Sequence, residues 1–335
     1  MKLLILGGTA WLGHEVARQA VDRGHDVTCL ARGESGSTPE GASLIQSDRD
    51  KDEGLEPVAT LQWDAVLDVS RQPGQVKRAV RDLRTARYYL FVSSGNAYAS
   101  QGPLGQDEDA PLLPPLESDV METMESYGQA KVACEQAVIE GFGSENCMIA
   151  RVGLIGGPGD IFGRTGYWPL RFANPSVAKG TVLIPNAPAL PTQVIDVRDL
   201  AAWLVHSCEK QLSGVYNAMG ETQTFEEHIA AARAAARHEG QVVTADAEWL
   251  HSHGVGEWAG PKSLPLWLSN PVWHGMNARS NKRAKDAGLA LRPLEETLNA
   301  TLKWEEEAGI DRPRRAGLTN EEEVELLTEL VSIKH

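Results

Sequence analysis

The sequence predicts an α/β protein: a doubly wound parallel sheet with helices on both faces, joined to a smaller mixed α/β C-terminal lobe. Three observations predict it. Short apolar runs alternate with helical patterns as far as Val152. A Gly-rich turn, Gly7-Gly8-Thr9-Ala10-Trp11-Leu12-Gly13, joins the first apolar run to the first helical one. After Gly153 the alternation loosens into Gly-, Pro- and Trp-rich sequence, and five of the nine Trp fall between Trp249 and Trp304.

In chain order, Lys2 to Leu6 reads as a buried parallel strand. Trp11 to Arg23 carries helical periodicity and stops at Gly24-His25. Strands follow at Asp26 to Leu30, Ser43 to Gln46, Ala65 to Asp68 and Tyr88 to Ser93. A helix from Pro73 to Arg84, with Pro near its start, lies between the last two. Tyr127 to Glu140 is the next helix and Cys147 to Val152 the next strand. Such strand–helix alternation builds a parallel sheet covered on both sides. Beyond it, Val194 to Asp196 and Val215 to Asn217 read as strands flanking a helix from Val197 to Cys208. Ala230 to Ala236 is Ala-rich helix, and Thr319 ahead of Glu321-Glu322-Glu323 predicts a capped C-terminal helix.

The 335 residues are 42% hydrophobic and 23% charged, an ordinary globular composition. With 32 Lys and Arg against 46 Asp and Glu, the net charge is −14. An acidic balance argues against a phosphate-backbone partner, so no nucleic acid is expected. No apolar run approaches spanning length and Met1 leads directly into a strand, so the expectation is a cytoplasmic protein without a membrane partner. The four cysteines, Cys29, Cys134, Cys147 and Cys208, are scattered and read as buried small hydrophobes. The histidines, His251 and His253 among them, show no metal spacing, so no metal is expected.

The Gly-rich turn places backbone N–H groups at a helix N-terminus, where they would face a pyrophosphate. Gly7, Thr9, Ala10, Trp11, Leu12 and Gly13 are the expected cofactor contacts there. At the end of the second strand stands Ala31-Arg32-Gly33. Arg32, 19 residues after Gly13, is where a ribose-reading residue occurs, and an arginine suits a 2′-phosphate. The expected cofactor is therefore NAD(P), with NADP favoured. Ser47-Asp48-Arg49 ends the third strand, where Asp48 can accept from an adenine amino group and Arg49 lies beside it.

Tyr127 and Lys131 stand at i and i+4 of one helix and so share a face. A fixed positive charge beside a phenol favours the phenolate and makes a tyrosine useful as an acid/base. By spacing alone such a pair is common on exposed helices.

Five motifs in order resemble the extended short-chain dehydrogenase/reductase superfamily, specifically the NAD-dependent epimerase/dehydratase family. The turn matches at Gly7, Ala10 and Gly13, with Ala10 in place of the middle glycine. Ser93-Ser94-Gly95-Asn96-Ala97-Tyr98 matches the segment after the fifth strand. Tyr127 and Lys131 match the Tyr-x-x-x-Lys helix. Arg151-Val152-Gly153-Leu154-Ile155-Gly156-Gly157-Pro158 is similar to the next motif, and Ile195-Asp196-Val197-Arg198-Asp199-Leu200 to a later one. The resemblance implies a Rossmann-type dinucleotide-binding domain over 1–165 plus about 190–220, and a substrate-binding lobe over about 166–189 plus 221–335. It implies that Tyr127 is the general acid/base, that Lys131 supports the phenolate and binds the nicotinamide ribose, and that Ser94 hydrogen-bonds the reacting oxygen. Val69, Ser70 and Ser93 complete the expected cofactor surface. A homodimer through the Tyr127 helix is also implied.

Two departures narrow the activity. Gly95-Asn96 replaces the acidic pair of the family's dehydratases, which argues against dehydration. Leu154 replaces an asparagine common in nucleotide-sugar enzymes. The expectation is an epimerase or an oxidoreductase acting by hydride transfer on a sugar-like or other small substrate. The alternative is a catalytically silent NAD(P)-binding regulatory or scaffold protein. Candidate substrate contacts are Asn96, Arg164, Tyr167, Trp168, Arg171 and Gln193. Asp196, which could pair with Arg198, is a capping or pocket-lining group.

Overall fold

Runs of residues buried on both sides form the central strands of the main sheet, as the computed structural model, which describes residues 1–333, shows. In β1 (Lys2–Leu6) the last four residues are buried, and β5 (Tyr89–Ser94) and β6 (Cys147–Val152) are buried throughout. With β2 (Asp26–Ala31), β3 (Ser43–Gln46), β4 (Ala65–Asp68) and β10 (Gly214–Ala218) they make a seven-stranded sheet in the order β10-β6-β5-β4-β1-β2-β3. Every pairing in it is parallel. The chain runs outward from β1 through β2 to β3, then restarts at β4 on the other side of β1. The order therefore reverses between β1 and β4, the place where doubly wound sheets hold ligands at the strand carboxyl ends.

Helices α1 (Trp11–Asp22), α2 (Glu56–Ala59), α3 (Pro73–Asp82) and α4 (Tyr127–Phe142) link these strands. Pro73 starts α3, where its missing N–H costs nothing. Leu4, Leu6, Val66, Phe91 and Ile149 pack with Val76 and Ala79 of α3 and Cys134 and Val138 of α4 in one core. The unit so formed comprises Met1–Gly153, Val197–Met219 and Arg279–Ala290. Its last two segments contain α6 (Val197–Lys210), β10 and α9 (Lys282–Asp286). The Trp203 indole N–H donates to the Ala287 carbonyl (3.1 Å), and Asn217 Nδ2 to the Ser280 carbonyl (3.1 Å), which tie the 279–290 segment to this unit.

The second unit comprises Leu154–Asp196, Gly220–Ala278 and Leu291–His335 as a stretch of chain. β7 (Leu154–Gly156), β9 (Pro191–Asp196) and β11 (Thr222–Thr224) form its three-stranded sheet. The sequence reading placed residues up to 165, and about 190–196, with the nucleotide-binding domain. The structure puts Leu154 opposite Val194 and Gln193 opposite Thr222, so both segments lie in this second sheet. Its remaining strands are short pairs: β8 (Val182–Pro185) with β12 (Val242–Ala245), β13 (Gly256–Trp258) with β15 (Ser263–Pro265), and β14 (Gly260–Pro261) with β16 (Ala316–Gly317). The core is Trp168 and Phe172 of α5 (Tyr167–Ala173), Phe225 of α7 (Phe225–Ala235), Leu250 of α8 (Ala247–Ser252) and Leu298 of α10 (Leu294–Ala308), with Trp267 from the chain after β15. The sequence reading passed over α10, although Leu294, Leu298 and Leu302 recur every four residues. The expected cap of α11 (Asn320–Ile333) is present: Thr319 Oγ1 accepts from the Glu322 N–H (3.2 Å) while Glu322 accepts from the Thr319 N–H (2.8 Å).

Among the described residues no helix is long and apolar enough to cross a membrane, and no cluster of His, Cys, Asp and Glu could hold a metal. All four cysteines are free and buried.

Candidate active site

The turn after β1 is shaped by what it packs against. Gly7 has φ +101°, and a Cβ there would lie 2.6 Å from Val69 Cγ2. A Cβ on Gly13 would lie 2.2 Å from the Gly7 carbonyl oxygen, so only glycine lets α1 start so close to the strand end. Ala10 caps α1 without a side-chain bond, and no acidic residue occupies its first turn. The helix N-terminus therefore keeps its partial positive charge for an outside anion. Thr9 is buried in the turn, while Trp11 and Leu12 are half-buried on the first helical turn.

Beside this turn lies a cavity of about 160 Å³, lined by Gly7, Thr9, Ala10, Ala31, Arg32, Gly33, Glu34, Ser47, Asp48, Arg49 and Gln75, among others. It brings together the expected turn, ribose and adenine residues. Arg32 is half-exposed and meets Glu34 at 3.2 Å. Such an exposed pair holds weakly and yields to a stronger anion. Asp48 accepts from the Asp50 N–H at 3.0 Å, a local turn bond.

Arg49, expected to touch cofactor, lines the cavity but directs its guanidinium inward. Its Nη1 lies 3.2 Å from Asp68 Oδ1, and its Nη2 donates to Ser70 Oγ. Asp68 is fully buried, and a buried carboxylate requires such a partner. Tyr89 Oη donates to the same carboxylate at 2.7 Å. Burial, with Asp68 adding to it, pushes the Tyr89 phenol well above the ordinary tyrosine range. Ser93 is corrected in the same way: its Oγ donates to Glu135, which forms a buried ion pair with Arg151 at 2.8 Å. Strand alternation explains it, because adjacent residues of β5 face opposite ways.

Ser94 ends β5 and accepts from the Asn96 N–H at 3.2 Å. Asn96 is exposed. Gly128, directly after Tyr127, packs against this turn so closely that a Cβ on it would fall 2.2 Å from the Asn96 carbonyl oxygen. Helix α4 thus begins on the Ser94–Asn96 turn, with Tyr127 as its first residue and half-buried. Lys131, one turn on, is buried. Its Nζ donates to the carbonyls of Ser70 (2.5 Å) and Val92 (2.7 Å), beyond the end of β4 and within β5, and lies 5.9 Å from the Tyr127 ring centroid.

The expected substrate contacts in the second unit are held inside it. Trp168 is fully buried and its indole N–H donates to the Pro265 carbonyl at 2.9 Å. Arg171 binds Asn320 Oδ1 and the Leu318 carbonyl, each at 2.6 Å, and pairs with Glu323. Tyr167 is buried against Gly317, and burial raises its phenol above the ordinary range. Gln193 Nε2 donates to the Gly220 carbonyl at 3.0 Å. These four belong to that unit's core, because their polar atoms or rings meet neighbours inside it. Arg164 lies over the rings of Phe162 (5.4 Å) and Trp258 (5.6 Å). Asp196 pairs with Arg292 at 3.6 Å.

Sequence reasoning missed Arg279. It is buried over the Tyr98 ring at 4.1 Å, with Nη atoms bound to Gln106 (2.7 Å) and Gln101 (2.6 Å). Burial pushes its guanidinium down to about 10, with Tyr98 opposing the shift. It also missed Asp68, Glu135 and Gln75. Glu135 was findable, since it stands four residues after Lys131 on the same helix face.

No protein-family model matches the chain. The photosystem II assembly factor Ycf39 of Synechocystis is 41% identical over 73 residues, 21% of this chain and 22% of that protein. A 3-diazoavenalumate denitrifying reductase from a Streptomyces species is 24% identical over 237 residues, 64% of this chain and 74% of that protein. The chain thus spans about a fifth of the first relative and about three quarters of the second. Among solved structures, UDP-glucose 4-epimerase of Thermus thermophilus in complex with NAD has a TM-score of 0.63 at 18% identity, over 92% of this chain and 100% of that one. At that identity the likeness is one of fold. The chain carries a Rossmann-like fold, with a seven-stranded parallel sheet, similar to that of this epimerase.

Proposed function

We propose that this protein is an NAD(P)-dependent epimerase or reductase, acting by hydride transfer at a hydroxyl- or carbonyl-bearing carbon of a small substrate. The observation that carries the reading is Lys131. Its buried ammonium is fixed by two carbonyls, one helical turn from Tyr127, on a helix that starts against the Ser94–Asn96 turn. A dinucleotide fits the residues present: α1 has no side-chain cap and no acidic first turn, and it opens beside a cavity of about 160 Å³. When bound, the nicotinamide supplies or takes up the hydride.

The chain's own residues have these roles. Ser94 Oγ accepts from the Asn96 N–H, which leaves its own proton available to donate to the reacting oxygen. Tyr127 gives or takes the proton on that oxygen. Lys131 places fixed positive charge beside the phenol. Arg32 on the cavity rim takes a 2′-phosphate, so NADP is favoured over NAD. Glu34 on the same rim would instead suit a 2′-hydroxyl, which makes the preference measurable. Titration of the purified protein with NADP and NAD, followed by nicotinamide fluorescence of their reduced forms, tests the reading. Saturable binding with the NADP form tighter is expected, and no binding of either contradicts it.

A second reading, a silent cofactor-binding regulatory protein, is favoured by the 73-residue likeness to a photosystem II assembly factor. It predicts cofactor binding without redox turnover on any hydroxyl or carbonyl compound.

A further inference from the structure

We propose that Arg49, Asp68 and Ser70 form a positioning unit that aims the Ser70 carbonyl at the Lys131 ammonium. The inference rests on the reading of Tyr127 and Lys131 as an acid/base pair and deepens it. Ser70 is held from three sides. Its N–H donates to Asp68 Oδ1 at 2.9 Å, its hydroxyl donates to the same oxygen, and its Oγ accepts from Arg49 Nη2. Residue 70 is thereby fixed up to its Cα, leaving one soft dihedral before the carbonyl that accepts from Lys131 at 2.5 Å.

The anchor itself is fixed. Asp68 also receives Arg49 Nη1 at 3.2 Å and Tyr89 Oη at 2.7 Å, and Arg49's backbone carbonyl accepts from Arg78 at 2.7 and 3.0 Å. Asp68 is fully buried at the end of β4, beside the reversal in strand order. An apolar side chain would fill that space at lower desolvation cost. What an apolar side chain could not do is grip Ser70. Arg49 is thus a positioning residue that lines the cavity with its charge engaged by Asp68.

Ser70→Ala tests this without stranding a buried charge, since Arg49 and Asp68 still face each other. Ser70→Thr restores the hydroxyl. The readout is the side-chain ammonium signal of Lys131 in heteronuclear NMR, assigned by its loss in Lys131→Arg. The wild type and Ser70→Thr should show an ammonium protected from solvent exchange. Ser70→Ala should speed that exchange about tenfold, the size expected for loosening one hydrogen bond to a charged group, while the thermal midpoint stays near wild type. Wild-type exchange in Ser70→Ala, or no protected ammonium in the wild type, would overturn the proposal. Failure of the acid/base reading would appear elsewhere, as undiminished turnover in Tyr127→Phe with the ammonium result intact.

Discussion

Two adjacent serines show how the site is made residue by residue. Ser93 and Ser94 end the same strand, yet one hydroxyl donates inward to Glu135 and the other accepts from the Asn96 N–H. The pleat alone separates a structural hydroxyl from one available for chemistry. In the proposed reading, Arg32 carries the cofactor preference in the same individual way. Its partner Glu34 is itself mostly exposed, so a 2′-phosphate can displace it. Arg32→Ala should weaken NADP binding about tenfold, the cost of one exposed charge-assisted contact, and leave NAD binding nearly unchanged. Parallel titrations of both cofactors measure it, and an NADP preference that survives the substitution contradicts the assignment. Tyr127 and Lys131 were legible because four residues of helix is a fixed geometric relation. The Asp68–Arg49 and Glu135–Arg151 pairs were not, because 19 and 16 residues of chain separate their partners. Only strand order brings them together.

At the scale of elements, legibility follows burial. β1, β5 and β6 are buried nearly throughout and so read as continuous apolar runs. β11, β13 and β14 are two or three residues long, half-buried or exposed, and contain Gly, Pro or Thr. No period can announce strands so short. Caps were the clearest boundary signal. Thr319 and Glu322 form the reciprocal pair expected from the sequence, and Thr224 with Glu227 forms a second that the Ala-rich reading of α7 overlooked. Removing one such cap costs about 1 kcal/mol. Thr319→Ala should therefore lower the thermal midpoint by about 1–2 °C, the shift that amount produces in a chain of 335 residues. A calorimetric midpoint equal to wild type would show that α11 does not depend on its box.

For the whole molecule, stability should depend on pH through His228. It is fully buried, its Nε2 has no hydrogen-bond partner among the described residues, and burial pushes its pKa down to about 4 from an ordinary 6.5. The unfolded chain takes up a proton near 6.5 and the folded chain does not until about 4. Stability conferred by the neutral imidazole is thus fully present above pH 6.5 and is lost as pH falls toward 4, by up to about 3 kcal/mol. Urea unfolding across that range should show the decline in wild type and a flatter profile in His228→Gln. Equal slopes would assign the acid sensitivity to other groups.

The central claim is that Tyr127 moves the proton in a nicotinamide-dependent reaction. The most direct measurement follows nicotinamide absorbance across a panel of hydroxyl and carbonyl compounds, with wild type and Tyr127→Phe side by side. The expected result is turnover by the wild type on at least one compound and a loss of about 10²- to 10⁴-fold in the variant, the usual worth of a general acid/base, with cofactor affinity nearly retained. Turnover by Tyr127→Phe at the wild-type rate would contradict the account.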